Sequence, residues 1–264
     1  MQYIGALVGD FCGSIYEWNN THEESPDSIE ILKDGKFTDD SVLTVAIMDW
    51  LQNSDGKGTL SVYLREWANN YPDAGYGGKF KTWVLSDSEK PINSYGNGSG
   101  MRVSPCAFYA NTLEECLNLA KKSAEVTHNH EEGIKGAQAI AEAIYLARSG
   151  AGKQDMKRIL EEDFKYDLSK PLNEIGRRAH KFDATCQVTV PEAIICFLNS
   201  EDFIDCIRKS IWIGGDSDTI AAMACSIAEP YYGIPHFIME QFKEKFPDDM
   251  KNTIIRFNEK MLQR

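Results

Sequence analysis

Near its start the chain reads Tyr3-Ile4-Gly5-Ala6-Leu7-Val8-Gly9-Asp10-Phe11-Cys12-Gly13-Ser14-Ile15-Tyr16-Glu17, with a glycine at every fourth position. That spacing puts Gly5, Gly9 and Gly13 on one face of a helix, with Ile4, Phe11 and Ile15 as apolar bulk beside it. The reading is one helix over Tyr3–Glu17. Each interior glycine costs about 1 kcal/mol relative to alanine. The stripe therefore predicts a second helix packed closely enough to offset that cost.

The helical period recurs along the chain. Thr38 is placed as an N-cap, with Asp39 and Asp40 in the first turn and Val42–Leu51 as the apolar body. A further helix is expected from Thr59 to near Pro72. Thr112 and Glu115 form a capping box that opens a helix to Val126. Glu131–Arg148 follows, closed by Gly150, and its small residues, Gly133 to Ala143, suggest close contacts. Residues 153–163 are helical in pattern. Pro191 suits the first position of a helix to Leu198, and Ser200 is read as the cap of the next. Thr219–Glu229, ended by Pro230, then His236–Lys245 and Asp248–Leu262 complete the chain. Asp73–Pro105 is broken by glycine and reads as long loops, the kind that often carry function. Residues 164–190 match no pattern, and the strand-like run Cys186–Val190 is short. The expected fold is all-α, a single compact domain over residues 1–264 with ten or more helices.

Composition narrows the function. The 264 residues are 42% hydrophobic and 26% charged, with a formal net charge of −12. Phosphate-backbone binding needs clustered positive charge, so a nucleic-acid grip is not expected. A nucleotide ligand stays open, because bound divalent cations reverse the local sign. No apolar run reaches the length of a membrane span, and Met1 to Asp10 lacks the features of a signal peptide. A cytoplasmic monomer is expected. The seven cysteines include no CxxC pair and read as reduced core thiols.

Two acidic clusters carry chemistry, Phe37-Thr38-Asp39-Asp40-Ser41 and Gly214-Gly215-Asp216-Ser217-Asp218-Thr219. Each joins neighbouring carboxylates to a threonine hydroxyl where a loop meets a helix. Such oxygen sets suit Mg²⁺ or Mn²⁺. For the first cluster, plain helix capping explains the same residues. A third feature, Gly96-Asn97-Gly98-Ser99-Gly100-Met101-Arg102, is dense enough in glycine for backbone N–H groups to converge on an anion. It is neither a Walker motif nor a dinucleotide fingerprint. Thr127-His128-Asn129-His130 marks the seam between two helices. Glu17, an acid at the end of a helix, opposes the helix dipole and calls for a metal, a water, a substrate or solvent exposure.

Taken in chain order, Gly5–Asp10 leading to Glu17, then Phe37–Asp40, Gly96–Arg102, Thr127-His128 and Gly214–Thr219 resemble the ADP-ribosylglycohydrolase family, which includes ADP-ribosylarginine hydrolases and dinitrogenase reductase-activating glycohydrolases. The resemblance implies an all-helical fold with two divalent cations, Mg²⁺ or Mn²⁺, in a central cleft. Thr38, Asp39 and Asp40 would ligate from one side, and Asp216, Asp218 and Thr219 from the other. Glu17, with Asp39 and Asp40, would be the catalytic carboxylates. Asn97, Gly98, Ser99, Gly100 and Met101 would hold the diphosphate and distal ribose, His128 would face the substrate, and Tyr76 and Gly77 would belong to a loop over the ADP-ribose. The implied reaction is metal-dependent hydrolysis of the bond between ADP-ribose and a modified protein or small molecule, with arginine the favoured acceptor and serine or another also compatible. A silent binding or structural member, or a hydrolase of another small nucleotide derivative, is the alternative. The chain is short for the family, so loops that select the leaving group are expected to be trimmed.

Overall fold

Fourteen α-helices carry the computed structural model, which describes residues 2–178 and 181–264. They are α1 (Gly5–Gly13), α2 (Asp39–Ser54), α3 (Leu60–Asn70), α4 (Gly78–Val84), α5 (Gly98–Met101), α6 (Ser104–Tyr109) and α7 (Leu113–Glu125). They continue with α8 (Glu131–Arg148), α9 (Lys153–Phe164), α10 (Cys186–Asn199), α11 (Phe203–Trp212), α12 (Ser217–Tyr232), α13 (His236–Lys243) and α14 (Asp248–Leu262). No strand occurs among the described residues; Gly96 and Thr185 make one isolated bridge.

The glycine stripe meets α12. A Cβ on Gly5 or Gly13 would stand 2.5 Å from the carbonyl oxygen of Cys225 or Ser217, and one on Gly9 would strike that of Ala221. The two ladders run in opposite directions in steps of four, so α1 and α12 are antiparallel and in backbone contact. α12 is buried from Ser217 to Ala228 and packs on α1, α8, α10 and α11. One continuous apolar core surrounds it.

Several sequence readings change. α1 stops at Gly13, well short of Glu17. Ser14 ends it by donating to the Phe11 carbonyl at 3.0 Å and accepting the Lys36 N–H at 3.0 Å. The segment 73–105 holds α4 and the single turn α5 as well as loops. The run Cys186–Val190 is the start of α10, and Pro191 lies inside that helix rather than at its first position. Thr189 and Val190 are buried, and a Cβ on Gly136 of α8 would meet Cys186 Sγ at 2.5 Å and Val190 at 3.3 Å, so packing overrides strand propensity. Asp202, not Ser200, caps α11, and α12 runs through Pro230.

Gly9→Val should be among the most damaging substitutions in the chain, because α1 cannot back away without opening the core. A loss of at least about 3 kcal/mol in denaturant-melt stability is expected. Stability within about 1 kcal/mol of wild type would show that the helices are not held backbone to backbone.

Candidate active site

Three helix ends converge because of that packing. The chain leaves α1 toward Glu17, while α2 and α12 begin beside it with Thr38 and Asp216 as N-caps. First-turn acids Asp39, Asp40 and Asp218 answer the positive ends of the two helices. Asp10, fully buried on α1, caps α2 from outside: it accepts the Thr38 N–H at 2.9 Å, the Thr38 hydroxyl at 2.7 Å and the Ser41 N–H at 3.1 Å. The Ser41 hydroxyl donates to it as well. Asp10 belongs to neither acidic cluster of the sequence. The available signal was a carboxylate inside an apolar helix, where charge is rare unless paired.

On α12, Gly214 and Gly215 take φ of 70° and 91°, which makes the turn that presents Asp216. The Gly215 N–H donates to Asn20 Oδ1 at 2.8 Å, tying this turn to the segment after Glu17. Asn97 donates to Asp216 Oδ2 at 2.7 Å. The Thr219 hydroxyl donates to Asp40 Oδ2 at 3.2 Å, whereas Asp40 Oδ1 is buried with no partner among the described residues.

Asp10, Asp40 and Asp218 form one group whose ligand oxygens lie within 4.8 Å of one another, and Glu17, Asp216 and Asp218 form a second. Asp218 belongs to both. Such buried crowding is unfavourable for bare carboxylates. Burial, then the charges of Asp10 and Asp39, push Asp40 well above the usual carboxylate range. Burial, then Asp40 and Asp216, do the same to Asp218. Asp39 is raised to about 8, Glu17 to about 7 and Asp10 to about 6, each chiefly by burial. An all-oxygen donor set that includes a carboxylate with an unpartnered buried oxygen fits a hard divalent cation, and these acidic clusters can hold metal.

The acids floor a cavity of about 480 Å³. Glu17, Thr38, Asp39, Asp40, Asp216, Asp218 and Thr219 line it, as do Gly77, Asn97, Gly98, Met101 and His128. Three expected residues lie behind its wall. Tyr76 is buried and stacks on Phe80, Ser99 donates to the Gly133 carbonyl at 2.7 Å, and Gly100 makes room for Met223 Sδ. The opposite rim comes from the stretch that carried no sequence signal. Phe182 and Ala184 line the cavity, the Asn97 N–H donates to the Ala184 carbonyl at 2.9 Å, and the Cys186 N–H to that of Tyr95 at 2.9 Å. Phe182 stacks on Trp18 at 5.3 Å, and Trp18 is 77% exposed at the mouth. Residues 179 and 180 lie outside the described residues. Of the two seam histidines, His130 caps α8 and His128 faces the cavity.

A family model described as ADP-ribosylglycohydrolase matches residues 3–264. The ADP-ribosylhydrolase ARH3 of Homo sapiens is 28% identical, with 87% of this chain and 84% of that protein aligned. The ADP-ribosylarginine hydrolase Tri1 of Pseudomonas putida (strain GB-1) is 24% identical over 88% of this chain and 69% of its own. A solved structure titled ADP-ribosylglycohydrolase-related protein complex superimposes with a TM-score of 0.74 at 18% identity, covering 98% of this chain and 96% of that one. That likeness is one of fold.

The crowded acids make stability depend on pH. Without cations, the folded chain keeps protons on Asp10, Glu17 and Asp39 up to about 6, 7 and 8, whereas the unfolded chain releases them near the ordinary 3.8 to 4.5. The native state then binds more protons, so stability falls as pH rises through this window. The Tm of chelated protein should drop between about pH 5 and pH 8, less in Asp40→Asn and less with added Mg²⁺ or Mn²⁺. A Tm that rises with pH over that range would contradict the crowding.

Proposed function

The chain belongs to the ADP-ribosylglycohydrolase family, and on that premise we propose that its cleft holds two divalent cations and releases ADP-ribose from a modified arginine. It is a glycosidic-bond hydrolase. The observation that carries the metal reading is the buried Asp40 Oδ1, which has no partner among the described residues although its carboxylate groups with those of Asp10 and Asp218. Thr38, Asp39 and Asp40 on α2, and Asp216, Asp218 and Thr219 on α12, are the ligands proposed. Bound there, the cations supply Lewis acidity and positive charge at the anomeric centre.

The protein's own groups do the rest. Glu17, beside Asp216 and Asp218, accepts the proton of the attacking water. The water oxygen bonds to the anomeric carbon through an oxocarbenium-like state, and the glycosidic bond breaks with its electron pair leaving on the acceptor nitrogen, which takes up the proton that Glu17 received from the water. The backbone of Asn97 and Gly98, His128 and Gly77 line the wall against which the ADP-ribose lies. Asn97 also orients Asp216, so the ligand loop and the acidic floor are held in one register.

Two features favour arginine. The Trp18 and Phe182 rings stand at the mouth beside Glu17, and a guanidinium is attracted both to an aromatic face and to a carboxylate. The similar Tri1 protein is named for the arginine linkage. A panel of acceptors joined to ADP-ribose through arginine, serine, a base or a small molecule, assayed with Mg²⁺, Mn²⁺ and excess chelator, tests the reading. Metal-dependent release from arginine is expected. Release only from another linkage would move the acceptor, and full turnover after exhaustive metal removal would end the metal assignment.

Glu17→Gln should lower kcat by about 10²-fold or more and leave the affinity for free ADP-ribose nearly unchanged, because its interaction strengthens at the transition state. Steady-state kinetics beside calorimetric titration of ADP-ribose separates the two quantities. An unchanged kcat with a raised KM would make Glu17 a substrate-holding residue.

A further inference from the structure

Behind His128 runs a buried chain of hydrogen bonds whose other members, Arg102 and Thr127, have no part in the scheme above. Arg102, at the end of the glycine-rich loop, is 0% exposed. Its Nη2 donates to the Ser123 carbonyl at 2.9 Å and to Thr127 Oγ1 at 2.9 Å. Thr127 Oγ1 in turn lies 2.8 Å from His128 Nδ1. We propose that Arg102 and Thr127 are positioning residues that lock His128 in the tautomer with a bare Nδ1 and a protonated Nε2, making it a permanent hydrogen-bond donor to an oxygen of the bound ligand.

The direction of each bond follows from what the groups can do. A guanidinium only donates, so Thr127 must accept from Arg102. The hydroxyl keeps one proton of its own, and Thr127 is fully buried. Among the described residues the one other partner of Thr127 Oγ1 is His128 Nδ1. If Nδ1 carried a proton and donated it, the threonine proton would be stranded without an acceptor in a dry interior. Donation from Thr127 to a bare Nδ1 satisfies both groups. Burial and the nearby Arg102 guanidinium also hold His128 well below the ordinary histidine range, which keeps the ring neutral.

The remaining proton then sits on Nε2. That atom stands over Gly98, where a Cβ would approach it to 3.0 Å, and the ring lines the cavity. Backbone bonds fix the segment that carries the ring: the Thr127 and His128 N–H groups both donate to the Ala124 carbonyl, at 3.1 and 2.7 Å. His128 thus offers one fixed donor and no acceptor to the cleft, and it neither takes nor gives a proton during turnover. The chemistry it selects is a phosphate or hydroxyl oxygen. That this oxygen belongs to ADP-ribose rests on the function proposed above; the tautomer does not.

Histidine-selective ¹⁵N labelling of the Mg²⁺-supplied protein tests the proposal, with the His128 signals assigned by their loss in His128→Gln. Long-range ¹H–¹⁵N correlation should show a pyridine-type Nδ1 and a pyrrole-type Nε2, unchanged between about pH 6 and pH 9, a range in which an ordinary histidine titrates. Thr127→Ser should keep this pattern. Thr127→Val should lose the single tautomer and weaken free ADP-ribose binding by about tenfold, the worth of one hydrogen bond. A pyrrole-type Nδ1 in wild type, a ring that titrates in this range, or a single unchanged tautomer in a folded Thr127→Val would each overturn the relay. If Thr127→Val does not fold, the wild-type and Thr127→Ser spectra decide alone. A wild-type spectrum as expected, in a protein that binds no ADP-ribose, would refute the functional reading and leave the relay standing.

Discussion

Backbone contact between α1 and α12 is the constraint on which the rest depends. Gly5, Gly9 and Gly13 let the two helices approach until the carbonyls of Cys225, Ala221 and Ser217 fill the space where side chains would be. Because the helices are antiparallel, the segment leaving α1 is delivered to the start of α12. Glu17 and Asp218 come from opposite ends of the chain, yet their oxygens fall within 4.8 Å. A side chain's width between the helices would separate Asp10 and Glu17 from Asp216 and Asp218 and dissolve both acidic groups.

The site is built against its own electrostatics. Acids are gathered where burial raises the cost of ionising them, and only part of that cost is met by local bonds. Asp10 receives four donors from the start of α2, and so serves as a clamp that joins α1 to α2. Asp216 receives Asn97, and Asp40 Oδ2 receives Thr219. Asp40 Oδ1 has no partner among the described residues. Helix starts at α2 and α12 supply partial positive charge that favours the ionised carboxylates, and Lys36, which lines the same cavity, favours ionised Glu17. Carboxyls raised by burial and by one another inside a cleft are the arrangement expected of a functional site.

The walls of the cleft are assembled from distant segments. The glycine-rich loop is held on one side by the bonds of residues 95–97 to 184–186 and on the other by Asn97 on Asp216. Within that loop the glycines divide their work. Gly98 makes room for the His128 ring at the cavity, whereas Gly100 makes room for Met223 in the core. Arg102 sits behind both and reaches Thr127, so the loop and the histidine wall are braced by a single buried side chain.

The sequence by itself determined the helical period, the glycine stripe and the placement of Thr38, Asp39 and Asp40 in a helix start, because each is a local pattern read over a few residues. It also marked both acidic clusters, since paired acids beside glycine or threonine are conspicuous in one dimension. The tertiary structure alone decided what those patterns share. Asp10 is a clamp only because Thr38 and Ser41, about thirty residues away, donate to it. The run from Cys186 to Val190 is helical because burial against α8 outweighs its β-branched preference, and Pro191 is carried inside the same helix. Tyr76, Ser99 and Gly100 stand in promising motifs but turn toward the core, while Trp18 and Phe182, in unmarked stretches, stack at the mouth. Which way a side chain faces is set by contacts between segments far apart in the chain, and no local pattern encodes that choice.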